Sequence, residues 1–335
     1  MGRALAALAV VLHHAELSAN AFTSGSPSTL FNWGIHGVDF FFVLSGFIIF
    51  HVHQHDKRNK ANAARFLSKR VRRIYLPYLP IGIGMAILYL VLPGLSAGER
   101  DWGWLSTLTL MPSSHAPALS VAWTLTFEMM FYLFFLLFYF SKRFTLFVAA
   151  WALGVALVWS LGLLPEKQAQ PVLNTLLNTL VLEFIAGMLA AYLFRVLPSR
   201  LWSIPVVVGL AALAAAMSVE SSSRVLIGLS LGPIVLGCAM LETQKRLVLP
   251  KAFQFLGAAS YSIYLVHNPI QSIVSRALQG SDSWGLHIFA CAIVGTLAGV
   301  TYFLSIERPA LKFFARIGRL TSTDRANTFS NAYSK

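Results

Sequence analysis

The chain has 335 residues, 56% of them hydrophobic and only 12% charged, with a net charge of +13 and a mean hydropathy of +0.66. A soluble globular domain carries about 25% charged residues, so the composition excludes a soluble enzyme and points to an integral membrane protein. The positive charge would suggest nucleic acid in a soluble chain. Here Lys and Arg retained on the inner side of a membrane explain it, and no nucleic-acid partner is expected.

Ten apolar stretches are predicted to cross the bilayer, near 3–20, 33–52, 75–94, 121–140, 144–164, 172–194, 202–219, 225–241, 253–275 and 284–306. The predicted fold is all-α, a polytopic membrane bundle of about ten transmembrane helices. With the N-terminus in the cytoplasm, 22 of the 26 Lys and Arg residues fall inside, leaving Arg100, Lys167, Arg224 and Arg276 outside. An even number of spans puts both termini in the cytoplasm. Cys238 and Cys291 lie in apolar runs, so neither a disulfide framework nor a thiolate metal site is expected.

The first span, RALAALAVVLHHAE, places Arg3 and His14 eleven residues apart. At 100° per residue that is about 1100°, close to whole turns, so both side chains share one helix face. The rise between them is about 16 Å, which sets His14 near the middle of the hydrocarbon if Arg3 sits at the boundary. A titratable imidazole at that depth marks a functional site. A cleavable signal peptide ending at Ser18-Ala19-Asn20-Ala21 is the rival reading, and His13-His14 is a poor end for its apolar run.

The second span carries GVDFFFVLSGFII, with Asp39 near its outer end and the packing pair Ser45-Gly46 in mid-helix. Asp39 either helps to position substrate or is a solvated helix-end carboxylate. A long basic loop is expected over 51–73. His51, His53 and His55 alternate there without a completing Cys or carboxylate pair, so no metal is expected. The cluster Lys69, Arg70, Arg72 and Arg73 closes the loop, suited both to anionic lipid and to the phosphates of a cytosolic ligand. The Gly-, Pro-, Ser- and Trp-rich stretch 95–120 is read as an external cap.

The fourth span opens with Trp123 at the boundary. Thr124 and Glu128 stand one turn apart on one face, and Glu128 is an intramembrane carboxylate in need of a partner. Spans five to eight are plain apolar helices apart from Glu183. The ninth holds His267 beside Pro269, a packing or a catalytic imidazole. Two parts are expected, an integral membrane domain over 1–310 and a basic amphipathic cytoplasmic tail over 311–335 lying on the inner leaflet.

The ordered set Arg3 with His14, GVDFFFVLSGF at 37–47, KRVRRIYLPY at 69–78, WTLTFEMMFY at 123–132, SYSIYLVH at 260–267 and ERP at 307–309 resembles the membrane acyltransferase-three family. It is most similar to the ExoZ-like exopolysaccharide acetyltransferases. The resemblance covers nearly the whole chain. It implies a ten-helix enzyme of the cell inner (plasma) membrane that moves acetyl or another acyl group from cytosolic acyl-CoA to sugars on the far side. The family's Arg-ten-His motif maps onto Arg3 and His14. No SGNH-hydrolase-like domain follows in the sequence, which implies a one-protein route of transfer.

Transfer from a thioester to a hydroxyl needs a base, a stabiliser for the tetrahedral oxyanion and a site for the leaving thiol. His14 is the expected base, with Glu128 orienting it. Arg70, Arg72, Arg73 and Lys69 are expected to hold the CoA phosphates, with Arg3 nearer the thioester. Trp123 is expected to stack on a sugar ring, and Thr124, Asp39 and His267 complete the expected substrate set. Acetyl-CoA, or another acyl-CoA, is the expected donor substrate. A glycan acceptor and membrane lipids are the expected partners. Direct transfer and a covalent acyl-His route both stay open. The rival class is a transporter or flippase of a glycan intermediate, with His14, Glu128, Glu183 and His267 as a proton relay.

Overall fold

The computed structural model describes residues 1–24, 27–92, 101–218, 224–244 and 250–316. Most of the expected tail (317–335) and the whole of the 93–100 and 245–249 connections lie outside the described residues. Within them the chain folds into helices and forms no strand beyond an isolated bridge between Trp102 and Ala116. Helices α1 (Gly2–Phe22), α2 (His36–His53) and α3 (Lys60–Val91) come first, and short α4 (Trp104–Thr109) follows. Then come α5 (Trp123–Phe135), the single turn α6 (Leu137–Phe140), α7 (Phe144–Ser160) and short α8 (Pro171–Leu176). Helices α9 (Leu180–Val196), α10 (Ser203–Ser218), α11 (Arg224–Thr243), α12 (Lys251–Ala277) and α13 (Trp284–Tyr302) complete the bundle.

Among the described residues, eight helical stretches are long and apolar enough to cross a membrane. Two of the ten expected spans fall outside that set for different reasons. Helix α7 is apolar but only 17 residues long. Helix α12 has 27 residues but spends many of them on Ser260, Tyr261, Ser262, His267 and Gln271. Those polar side chains belong to the interior described below, and they lower the hydropathy of a helix that is otherwise enclosed.

The expected basic loop is mostly helix. Helix α2 runs on to His53, and α3 begins at Lys60 behind Asn59, whose side chain accepts a hydrogen bond from the Asn62 amide at 2.8 Å. Residues 60–73 are Ala, Lys, Arg, Leu and Phe for the most part, good helix formers without a breaker. The cationic cluster is therefore held on a helix face.

Helix α1 packs on α12, α13 and α2, and Ala4, Ala7, Val11 and Ala15 are buried in those contacts. That is the packing of a bundle member. Helices α2 and α9 meet through reciprocal glycines. A Cβ on Gly46 would overlap the Phe184 carbonyl, and one on Gly187 would overlap the Val43 carbonyl. Small residues let the two backbones touch, as in close membrane helix pairs. The main core gathers around α5, with Phe131, Phe135 and Phe184 among its fully buried rings.

Candidate active site

Helix α5 is a partition between two cavities. Thr124, Leu125 and Glu128 face an inner cavity of about 130 Å³. Trp123, Thr126 and Phe127 face a larger one of about 410 Å³. The 3.6-residue period sets this split: 124 and 128 are one turn apart, and 123, 126 and 127 fall on the opposite side.

Three guanidinium groups line the inner cavity, Arg3 from α1 and Arg70 and Arg73 from α3. Each is held from behind by a different group. The Arg3 Nε donates to Ser260 Oγ at 3.3 Å. Arg73 Nη1 lies 2.5 Å from the carboxylate of Glu307, which is fully buried and also accepts from Ser262 at 2.5 Å. Arg70 Nη2 lies 3.2 Å from His53 Nε2 and stacks over Phe66 and Tyr132. The expected cluster of four cations thus divides by helix period. Arg70 and Arg73, three apart, face the cavity, whereas Lys69 and Arg72 are exposed on the other side, with Arg72 over Phe314.

Glu128 accepts from Ser45 at 3.3 Å and from the Tyr132 hydroxyl, and Arg3 lies within its electrostatic reach. The expected Glu128–His14 bond is absent among the described residues. His14 instead places Nδ1 3.0 Å from the Val10 carbonyl and 3.3 Å from His267 Nε2. A carbonyl only accepts, so His14 carries its proton on Nδ1 when neutral and keeps its Nε2 lone pair free. His267 follows the same pattern, with Nδ1 3.1 Å from the Ile263 carbonyl and Nε2 as the acceptor toward His14.

Neither imidazole lines the inner cavity. The His267 ring is 5.8 Å from that of Tyr264, which does line it. Tyr264 is pinned there through its hydroxyl, 2.9 Å from Thr124 Oγ1 and 3.0 Å from the Val121 carbonyl. His267 is fully buried against His14 and lines neither cavity. Thr124 lines the inner cavity.

Asp39 lines neither cavity. Its two oxygens are taken by His36 and by Arg224, each at 2.7 Å, and it is fully buried. It fixes Arg224, whose guanidinium lies 5.8 Å from the centre of the Trp123 ring at the wall of the outer cavity. Amide side chains of Asn174 and Asn178 and the exposed Lys167 complete that wall. Glu183 is buried near Asp39 and Arg224, and its Oε2 has no partner among the described residues.

Sequence reasoning gave no site role to Glu307, Tyr132, Tyr261, Ser260 or Arg224. Glu307 stood in the quoted ERP motif, and the signal for it was a carboxylate at the end of an apolar span with a cationic cluster to neutralise. No group of three or more His, Cys, Asp or Glu able to hold a metal occurs among the described residues.

Residues 1–305 match the acyltransferase domain family known as acyltransferase-three. The chain is also similar to the exopolysaccharide production protein ExoZ of Rhizobium meliloti (strain 1021), 31% identical over 327 aligned residues that cover 90% of this chain and 95% of the relative. No solved structure gives a significant match. Placed on an all-helical bundle with arginines converging on one cavity, these similarities show that the chain belongs to the acyltransferase-three family.

Proposed function

We propose that the chain is a membrane O-acyltransferase. It moves an acyl group, acetyl in the simplest case, from cytosolic acyl-CoA to a hydroxyl of a glycan on the far side of the cell inner membrane. The observation that supports this best is the convergence of Arg3, Arg70 and Arg73 on one cavity. Arginine forks suit phosphates, and the apolar remainder of the wall suits a pantetheine arm.

The acceptor would occupy the outer cavity. A partly exposed Trp ring, two amides and an anchored guanidinium are the groups that recognise a saccharide, by stacking and by directed hydrogen bonds. The ExoZ relative is named for exopolysaccharide production, in keeping with a glycan acceptor.

In the reaction, His14 Nε2 takes the proton of the acceptor hydroxyl as its oxygen attacks the thioester carbonyl. The C–O bond forms, and the carbonyl electrons move onto oxygen as a tetrahedral oxyanion, which needs a positive or N–H partner beside it. Collapse of the intermediate breaks the C–S bond. The thiolate leaves and takes the proton back from His14. His267 acts behind the base, accepting from His14 Nδ1–H so that Nε2 stays the basic nitrogen.

The test is transfer of radiolabelled acetyl from acetyl-CoA to de-acylated glycan of the source strain, with free thiol counted in parallel. His14→Ala is expected to lower the rate by about 10²–10⁴-fold while the protein elutes as folded material. Turnover equal to wild type would remove His14 from the base role. A wild-type protein that moves glycan and releases no thiol would establish the transporter class instead.

A further inference from the structure

The two arginines that α3 sends into the inner cavity are held by partners of different kind. Arg73 rests on a buried carboxylate, that of Glu307. Arg70 rests on an imidazole, a partner that can change its charge near neutral pH.

His53 ends α2 and is nearly enclosed, with Phe66, Phe135 and Tyr139 around it. Its Nδ1 is 2.8 Å from Asp56 Oδ2, and its Nε2 is 3.2 Å from Arg70 Nη2. An arginine only donates, so Nε2 must offer a lone pair, and the proton sits on Nδ1, where it is donated to Asp56. Tyr139 donates its hydroxyl to the same Asp56 oxygen at 2.8 Å. Partial burial disfavours the Asp56 carboxylate, but the hydrogen bonds from His53 and Tyr139 outweigh it and hold its pKa below the usual value. The carboxylate therefore remains a fixed acceptor, and the tautomer of His53 is set.

We propose that neutral His53, locked by Asp56 and Tyr139, is the positioning residue that aims Arg70 into the cavity, and that protonation of His53 releases Arg70. The imidazolium would present an N–H to a guanidinium N–H, so the bond to Arg70 cannot survive the added proton. Four groups face the imidazole. They are Asp56, Arg70 and Lys69 from α3, and Tyr139 from α6, which shares the Asp56 oxygen. This inference rests on the reading of the inner cavity as the acyl-CoA site, and it adds a proton-controlled donor affinity to that site.

The test measures CoA binding by calorimetry to the full chain in lipid nanodiscs, across about pH 5 to 8. Three proteins are compared: wild type, His53→Ala and His53→Gln. Glutamine keeps an acceptor for Arg70 and a donor for Asp56 but does not titrate. Wild-type affinity is expected to fall toward the acid end. His53→Gln is expected to match wild type at the alkaline end and to lack the added acid-side loss, so that only the titration of CoA itself is left. His53→Ala is expected to bind about tenfold more weakly throughout, the effect of loosening one charge-assisted phosphate contact. The turnover number at saturating donor should stay unchanged in His53→Gln. Identical affinities and pH profiles in all three proteins would overturn the role of His53 alone. No CoA binding by wild type would overturn the donor-site reading and this inference with it.

Discussion

At the residue scale the account turns on which groups stand behind the arginines. Arg73 neutralises Glu307, whose carboxylate is enclosed and has Ser262 as its other partner. Removing the cation strands a buried charge, and such losses cost about 3–5 kcal/mol. Arg73→Ala should therefore lower the thermal midpoint in detergent by several degrees as well as weaken donor binding. Arg73→Lys keeps the charge and loses the fork, so it should keep the midpoint and raise the acetyl-CoA KM; an unchanged KM would show that Arg73 is structural only. That Arg3 and His14 share one helix could be read from the sequence, because both lie in a single apolar run. The partners of His14 could not. Glu128 was its natural carboxylate on paper, but Ser45, Tyr132 and Arg3 claim that group, and His267 from a helix more than 250 positions away takes its place.

At the scale of elements, hydrophobic runs located the spans because burial in lipid demands them, and the all-helical class followed at once. Two departures have physical causes. The basic 60–73 segment is helical because local propensity and the Asn59 cap outweigh its charge, and only that helix sorts Arg70 and Arg73 from Lys69 and Arg72. Helix α12 is too polar to score as a span because it furnishes the interior with His267, Gln271 and three serines. The α2–α9 contact makes a prediction at this level. Gly187 lies against the Val43 carbonyl, where a larger side chain would force the helices apart. Gly187→Leu should destabilise by about 3 kcal/mol or more, since overpacking alone costs about 1–3 kcal/mol and this clash is with backbone. Gly154, with open space around it, should accept Ala with no measurable change in the same melting assay.

At the scale of the molecule, α5 divides the interior, with the outer cavity at its Trp123 end and Arg70 over Tyr132 toward its other end. Its 13 residues span about 20 Å, so the two ends reach different depths of a bilayer core about 30 Å thick. The charge count puts Lys167 on the far side and Arg72 in the cytoplasm. In a Cys238→Ser background, an impermeant maleimide should label Lys167→Cys in intact cells and Arg72→Cys only after lysis; the reverse would invert the topology. Trp123→Ala should raise the acceptor KM and leave the acetyl-CoA KM unchanged, since the ring faces the outer cavity only. The outer cavity was not legible in the sequence, because its wall is assembled from α5, the 106–117 and 167–180 segments and the start of α11. The most direct measurement is a cryo-EM structure of the protein with a non-hydrolysable acetyl-CoA analogue. The account predicts the pantetheine arm between Arg3, Arg70 and Arg73, with the thioester end toward Tyr264 and the His14–His267 pair. An analogue bound at saturation anywhere else, with that cavity empty, would contradict it.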